Sequence, residues 1–348
     1  MVEWEFKRAV PTRCGGWEVK PLDNDQLERL RSYQMSLEEA KDSKISNPVF
    51  SKYHVRSCVV SSDKTRSRGG NIEYGLCQAL HGEESVVVSF RDSHQGAFFS
   101  HPGVLGLIAG APGNPATPCG NCRDILLDEF GTDFEVVSGA GEGGLALVVK
   151  FEDYLFDRFE KINQRDLADW INIKDLESLI KQGRRLEDIP YFDGKVHPER
   201  RYFAVVTGKN GKQYVGASEG LVDYHTNYAL RDALRTMRKE GGFMPSDVII
   251  IGESESNTPP HVMYKDRQHL LERIDRGIPL SGFGPELDVS VTLINVNPEK
   301  FSVVSAWQTS AREWLPMPFT PANLGSELNA HLKEYDEGKR ALFDISDS

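Results

Sequence analysis

The chain has 348 residues, 39% hydrophobic and 27% charged, with 31 glycines and 18 prolines; this balance is that of a globular protein and excludes a fibrous or wholly disordered one. A formal net charge of -11 disfavours a nucleic acid polymer as partner, because such binders carry a basic stripe that neutralises phosphates. No apolar run approaches the roughly 18 residues of a membrane helix, and Met1-Val2-Glu3-Trp4-Glu5-Phe6 lacks a basic start before an apolar stretch, so a cytoplasmic protein without a membrane partner is expected.

The length suggests two domains. Residues 1–47 read as a helical or irregular N-terminal segment. Residues 53–60 are short and β-branched, Ser61-Ser62-Asp63-Lys64 turns the chain, and residues 69–73 follow, a strand-turn-strand pattern. Between 76 and 90 the glycines thin out, and Leu76, Leu80, Glu83/Glu84 and Val87 recur at helical spacing. This predicts a helix with His81 and Glu83 in its first turns. Residues 104–108 read as a buried strand. After the turn-rich 110–115, Thr117-Pro118-Cys119-Gly120-Asn121-Cys122 leads into a helix over 123–130, its start marked by proline. Residues 134–137 and 145–151 supply further strands. Alternating strands and helices over 48–160 predict a layered α/β domain.

The charged, helix-prone stretch that follows is a linker, placed at 161–198. The pattern then begins again over 199–325. Strand 202–206, turn 209–212, strand 214–220, a helix over 228–239 and a strand over 248–252 repeat the earlier order, with a tail at 326–348. Thr258-Pro259-Pro260-His261-Val262-Met263 stands where the Cys119 loop stood, without cysteines. This pattern predicts an internal duplication whose second copy has lost its metal; two unrelated α/β domains are the alternative.

The five cysteines, an odd number, argue against a disulfide scaffold. Cys119 and Cys122 instead offer two thiolates from one tight loop, and His81 a third ligand, which leaves a tetrahedral position open for water. Glu83, two residues beyond His81, can stand beside that water without ligating the metal. The pairing of H-x-E with a later P-C-x-x-C is the signature of zinc deaminases. His197-Pro198-Glu199 repeats the first half with no Cys-x-x-Cys behind it, and counts as chance. A closed structural site with Cys77 or a distant histidine as fourth ligand is the competing arrangement, but it gives Glu83 no task.

With these residues in place the chain resembles the cytidine deaminase family over roughly 48–160. Phe50-Ser51-Lys52-Tyr53-His54-Val55 is similar to its Tyr-Ser-x-Phe-x-Val stretch and Gly70-Asn71-Ile72-Glu73 to its Gly-x-Asn-x-Glu. His81-Gly82-Glu83-Glu84-Ser85 resembles the members that use His as first ligand, and 117–123 resembles the metal loop. The resemblance implies a duplicated three-layer α/β fold, a mixed central sheet with helices on both faces, and one zinc ion per chain on His81, Cys119 and Cys122. It implies that Glu83 is the proton shuttle, that Asn71 and Glu73 bond the ribose hydroxyls, and that Phe50 or Tyr53 packs on the pyrimidine. Leu315-Pro316-Met317-Pro318-Phe319-Thr320-Pro321 is similar to the family's Leu-Pro-x-x-Phe-Gly-Pro, whose Phe covers the pyrimidine; here it closes the second copy, with Phe319 in that place. Members with three thiolates carry Arg just after the catalytic Glu, where this chain has Glu84. Arg123 is either a hydrogen-bond donor to a ligand sulfur or a solvated helix residue.

The implied activity is hydrolytic deamination of cytidine or deoxycytidine in pyrimidine salvage. His54 and Arg56 depart from the family pattern, and an Arg near the pocket suits a phosphate, so a cytosine nucleotide, a modified cytidine or a nucleoside antibiotic is the alternative substrate. A non-catalytic scaffold and a nucleic-acid editor are the rivals of other classes. The expected partner is a small cytosine nucleoside. A live copy joined to a dead one also implies a homodimer, in which four units pack together.

Overall fold

The computed structural model describes residues 4–315 apart from 12–16, 50, 52, 76–77, 94–101, 112–113, 142, 156–159, 162–176, 183–201, 218, 221–225, 243, 256–257, 261, 277–288 and 298. The chain forms two compact units, divided between Leu155 and Phe156.

In the first unit the elements are β1 (Trp4–Pro11), β2 (Trp17–Lys20), α1 (Asn24–Glu28), α2 (Leu30–Lys41), β3 (Arg56–Ser61), β4 (Arg66–Gly70), β5 (Ile72–Gly75), β6 (Gln78–Leu80) and α3 (Gly82–Ser93). Then come β7 (Pro102–Ile108), the two-residue strands β8 (Gly110–Ala111) and β9 (Asn114–Pro115), α4 (Gly120–Phe130), β10 (Glu135–Gly139), β11 (Gly144–Lys150) and α5 (Phe151–Tyr154). One sheet runs in the order β2-β1-β11-β10-β7-β3-β4. It is mixed, with β1 parallel to β11 and β7 parallel to β10 while the remaining pairs are antiparallel.

Alternation along each strand feeds two separate cores. Val59, Leu105, Val136, Leu147 and Val149 face Val86, Val87 and Phe90 of α3 and Leu126 of α4. Their neighbours Cys58, Val60, Val104, Val137, Ala146 and Val148 pack on Tyr33, Leu37 and Ala40 of α2. The first unit is therefore three layers deep, as expected, but α2 of the N-terminal segment supplies one of the layers and β1 extends the sheet. Residues 1–47 thus include strands and share the core of this unit. The Trp4-Glu5-Phe6 alternation was the available signal: Trp4 is buried and Glu5 exposed.

The junction of this segment is polar. Asp23 closes a capping box with Gln26 at the start of α1. Buried Glu135 then accepts from Gln26 Nε2 at 3.1 Å, Arg29 Nη1 at 3.3 Å and Tyr33 Oη at 2.5 Å. Burial first, and then the bond to Glu135, hold the Tyr33 hydroxyl far above its ordinary pKa, so it stays a donor.

The second unit contains β12 (Glu160–Lys161), β13 (Tyr202–Gly208), β14 (Gln213–Ala217), the short β15 (Glu219–Gly220) and β16 (Thr226–Asn227), and α6 (Ala229–Lys239). It continues with β17 (Pro245–Glu253), α7 (Tyr264–Arg276), β18 (Ser290–Val296), β19 (Val303–Ser310) and α8 (Ala311–Trp314). Its sheet order is β12-β19-β18-β17-β13-β14. From β19 to β14 this matches β11-β10-β7-β3-β4 in order and in sense, including a parallel β17–β18 pair where β7–β10 is parallel. Among the described residues no helix is long and apolar enough to cross a membrane.

Replacing Glu135 with Ala leaves the Gln26 and Tyr33 donors buried without their acceptor, at a cost of about 2–4 kcal/mol. The urea midpoint should fall accordingly, and an unchanged midpoint would remove this anchor from the account.

Candidate metal centre

The two helix starts that build the site are each seated by backbone contacts. The β5–β6 hairpin delivers the chain to His81, which precedes α3 directly and does not lie inside it; Glu83 falls in the first turn, as expected. Ser57 Oγ of β3 donates to Gly82 O at 2.7 Å. A Cβ on Gly69 of β4 would stand 2.6 Å from Gly82 O and 2.5 Å from Val86 N, so only glycine lets α3 lie this close. On the other side Cys119 is the N-cap of α4 and Cys122 lies in its first turn. Arg123 is fully buried; its Nε donates to Pro118 O at 2.9 Å and its Nη1 to Tyr154 O at 3.0 Å, with the guanidinium 4.8 Å from the Tyr154 ring centroid. It therefore holds the loop carrying Cys119 from inside the core, which rules out a solvated helix residue.

These seats bring three donors together. Cys119 Sγ lies 3.4 Å and Cys122 Sγ 3.3 Å from His81 Nδ1, and the two sulfurs are 3.5 Å apart. Among the described residues this is the one group of three His, Cys, Asp or Glu side chains with donor atoms within 4.8 Å of one another, a set able to bind a metal. Cys119 sits well below the usual thiol range, first through its hydrogen bond with Cys122, while burial holds Cys122 well above it. The bond to Cys119 lifts His81 to about 10. A metal binds thiolate and neutral imidazole, so it must displace protons from this group and its affinity rises with pH. Glu83 is 5% exposed; burial, and then the charge on Cys119, push its carboxyl up to about 7.

The other expected residues are placed less simply. Asn71 Oδ1 accepts from Ser46 Oγ at 2.6 Å and Val55 N at 2.9 Å, and its Nδ2 donates to Tyr53 O at 2.8 Å. Glu73 Oε2 accepts from Ser51 N at 3.0 Å. Both side chains therefore pin the segment from 46 to 55. Tyr53 packs beside Leu107, Ala109 and Ala116, the last just ahead of the metal loop. Arg56 points to the other layer, donating to Lys41 O at the end of α2 at 3.3 Å, since it alternates with Ser57, which faces α3. His54 Nδ1 is 2.9 Å from Ser46 Oγ. Phe50, Phe319, Cys77 and His197 lie outside the described residues.

Glu84 carried no assigned role in the sequence, yet it joins the two helix starts. Its Oε2 accepts from His81 N at 2.7 Å and its Oε1 from Asn121 Nδ2 at 2.7 Å. A Glu at the third position of a helix is a capping signal that could have revealed the first of these bonds.

Among the described residues the second unit repeats the seats without the His-Cys-Cys donors. Arg267 donates through Nε to Val262 O at 2.9 Å and through Nη1 to Trp314 O at 3.0 Å, the bonds Arg123 makes to Pro118 and Tyr154. A Cβ on Gly216 would meet Ala229 O at 2.2 Å and Ala233 N at 2.3 Å, as one on Gly69 meets Gly82 and Val86. These registers set Tyr228, Leu230 and Arg231 in the places of His81, Glu83 and Glu84, and Met263 and Asp266 in those of Cys119 and Cys122. The Thr258-Pro259 similarity had aligned the loop three residues out of step, pairing Met263 with Cys122; His261 lies outside the described residues. Arg231 Nη2 lies 3.2 Å from Asp266 Oδ1, which is fully buried.

No protein-family model matches the chain, and no curated protein matches it. Among solved structures it is similar to a cytidine deaminase from Burkholderia pseudomallei, at 22% identity over 36% of this chain and 98% of that one, with a TM-score of 0.31. A cytidine deaminase from Mycobacterium tuberculosis aligns at 25% identity over 37% of this chain and 97% of that one, TM-score 0.28. One from Mycobacterium leprae aligns at 21% over 30% and 82%, TM-score 0.25.

Removing one donor should show in metal uptake. Wild-type protein titrated with Co(II) should develop thiolate-to-metal charge-transfer absorbance, more tightly at higher pH, and Cys122→Ala should lose most of it. Equal absorbance in the two proteins would exclude Cys122 as a ligand.

Proposed function

We propose that the chain is a zinc-dependent hydrolytic deaminase of a cytosine nucleoside, cytidine or deoxycytidine, serving pyrimidine salvage. The observation that carries this is the buried Glu83 carboxyl in the same helical turn that follows His81, beside two thiol donors. A structural site has no use for an acid there. The donor set fits zinc: bonds of about 2.0–2.3 Å to nitrogen and sulfur give tetrahedral edges of about 3.6 Å between N and S and about 3.8 Å between two sulfurs, and the observed separations of 3.3, 3.4 and 3.5 Å need only a slight opening to reach them. With His81, Cys119 and Cys122 as the only protein ligands, neutral imidazole and two thiolates balance a divalent ion.

Zinc bound there supplies a Lewis acid that makes water nucleophilic near neutral pH. Glu83 handles the protons: its carboxylate accepts one from the attacking water and gives it to N3 of the cytosine ring, then accepts the proton of the new C4 hydroxyl and gives that one to the amine leaving C4. Water and the nucleoside become uridine and ammonia, with the C4–N bond broken and a C4–O bond formed. Burial of Glu83 next to His81 and Cys122 keeps its carboxyl away from bulk water, so the protons it takes up pass to the bound ring. Asn71 and Glu73 are the proposed sugar-side residues and Tyr53 the proposed pyrimidine contact, with Phe50 and Phe319 as further aromatic candidates. The direction of Arg56, toward α2, favours a nucleoside over a nucleotide.

We further propose that the second unit is a metal-free copy of the first, on the strength of the shared strand order and the matched Arg123 and Arg267 bonds. Among the described residues such a copy has no ligand set of its own, so its surfaces are available for assembly, and a homodimer of four packed units follows. Light scattering should give the mass of two chains; the mass of one would overturn this.

Glu83→Gln should retain zinc at the wild-type stoichiometry while slowing turnover by about 100- to 10,000-fold. The fall in cytosine absorbance on incubation with cytidine reads the rate. Near-normal turnover in the variant sinks the role of Glu83, and a zinc-loaded wild type inert on every cytosine compound favours a scaffold.

A further inference from the structure

We infer that Glu84 is a positioning residue that locks the two halves of the donor set into one geometry through Asn121, an inference that rests on the metal-binding reading of His81, Cys119 and Cys122. The donors come from different helices: His81 precedes α3, whereas Cys119 and Cys122 start α4. Nothing in the covalent chain fixes the distance between these helix starts. The Glu84 carboxylate spans it. One oxygen holds the backbone N–H of His81 itself, and the other holds the side-chain amide of Asn121, which lies between the two cysteines, both at 2.7 Å. Bonds to an ionised carboxylate are short and strong, and bidentate use of its two oxygens adds directional control. Glu84 is half-buried, so water competes for these bonds only partly.

The second unit supplies an independent observation. Arg231 holds the place of Glu84, and Asp266 the place of Cys122. There the same two helix starts are tied by an ion pair, Arg231 Nη2 to Asp266 Oδ1 at 3.2 Å. The linking chemistry differs between the units, yet each spends a charged side chain at this one position on joining the first turns of the same two helices. Where the metal donors are absent, the tie goes directly to the position a ligand would occupy. Where they are present, it goes to Asn121 and leaves the sulfurs clear.

Co(II) affinity and the Co(II) ligand-field spectrum of the full chain test this, with metal-free thermal unfolding measured beside them. Asn121→Ala keeps all three donors and the Glu84 charge and removes only the bridge. It should lose about 10- to 100-fold in Co(II) affinity with an altered ligand-field band, as outer-shell partners typically do, while the metal-free protein unfolds at the wild-type temperature. Glu84→Ala should lose at least as much. The pair Glu84→Gln with Asn121→Asp exchanges donor and acceptor within the bridge at constant charge, and should recover affinity to within about threefold. Wild-type affinity and spectrum in Asn121→Ala overturn the inference, whether or not Glu84→Ala folds. A wild-type chain that takes up no Co(II) overturns the metal reading beneath it.

Discussion

The contact between the first turn of α3 and strands β3 and β4 governs where chemistry can happen in the first unit. Gly69 has no side chain, so the helix backbone descends onto the strand, and Ser57 meets Gly82 O directly. His81 is thereby fixed one residue before the helix, over the edge of the sheet. The buried Arg123 does the matching work for α4 by gripping Pro118 O ahead of Cys119. Two helix N-termini then face one point, and their unpaired N–H groups and dipoles favour thiolate there. The low position of the Cys119 thiol follows first from its hydrogen bond with Cys122 and then from His81, and the raised Glu83 carboxyl from burial beside that thiol, so both depend on the two helix starts meeting.

The residues legible from sequence are those whose geometry is local. Cys119 and Cys122 are one helical turn apart, and Glu83 follows His81 in a single turn, so spacing alone carries their relation. The strands of the central sheet were legible for the same reason, since alternation is a local pattern. What escaped depends on partners far along the chain. β1 is a strand because β11 offers it an edge, from Trp4 opposite Gly144 to Arg8 opposite Val148. Arg123 reads as a surface residue by type, and only the carbonyls of Pro118 and Tyr154 and the Tyr154 ring explain its burial. The motif places Asn71 near the site, but its bonds to Ser46, Val55 and Tyr53 depend on a segment far along the chain and were not legible. The register of the second unit escaped because Thr-Pro pairs are commonplace, and the true landmark is the buried arginine.

The matching positions of the second unit obey their own electrostatics. An aspartate buried where Cys122 stands in the first unit is costly unless it is paired. Arg231, in the first turn of α6, meets it at 3.2 Å. In the first unit Glu84 instead meets His81 N and Asn121. Leu230 in the place of Glu83 removes the acid from the same turn, and Tyr228, stacked on Tyr202 and lying beneath Lys265, fills the place of the imidazole. The helix seats survive because they are made by backbone, glycine and arginine, which no ligand requires. A seat built in this way holds two helix starts together whatever side chains their first turns present, so one strand and helix order accommodates both sets.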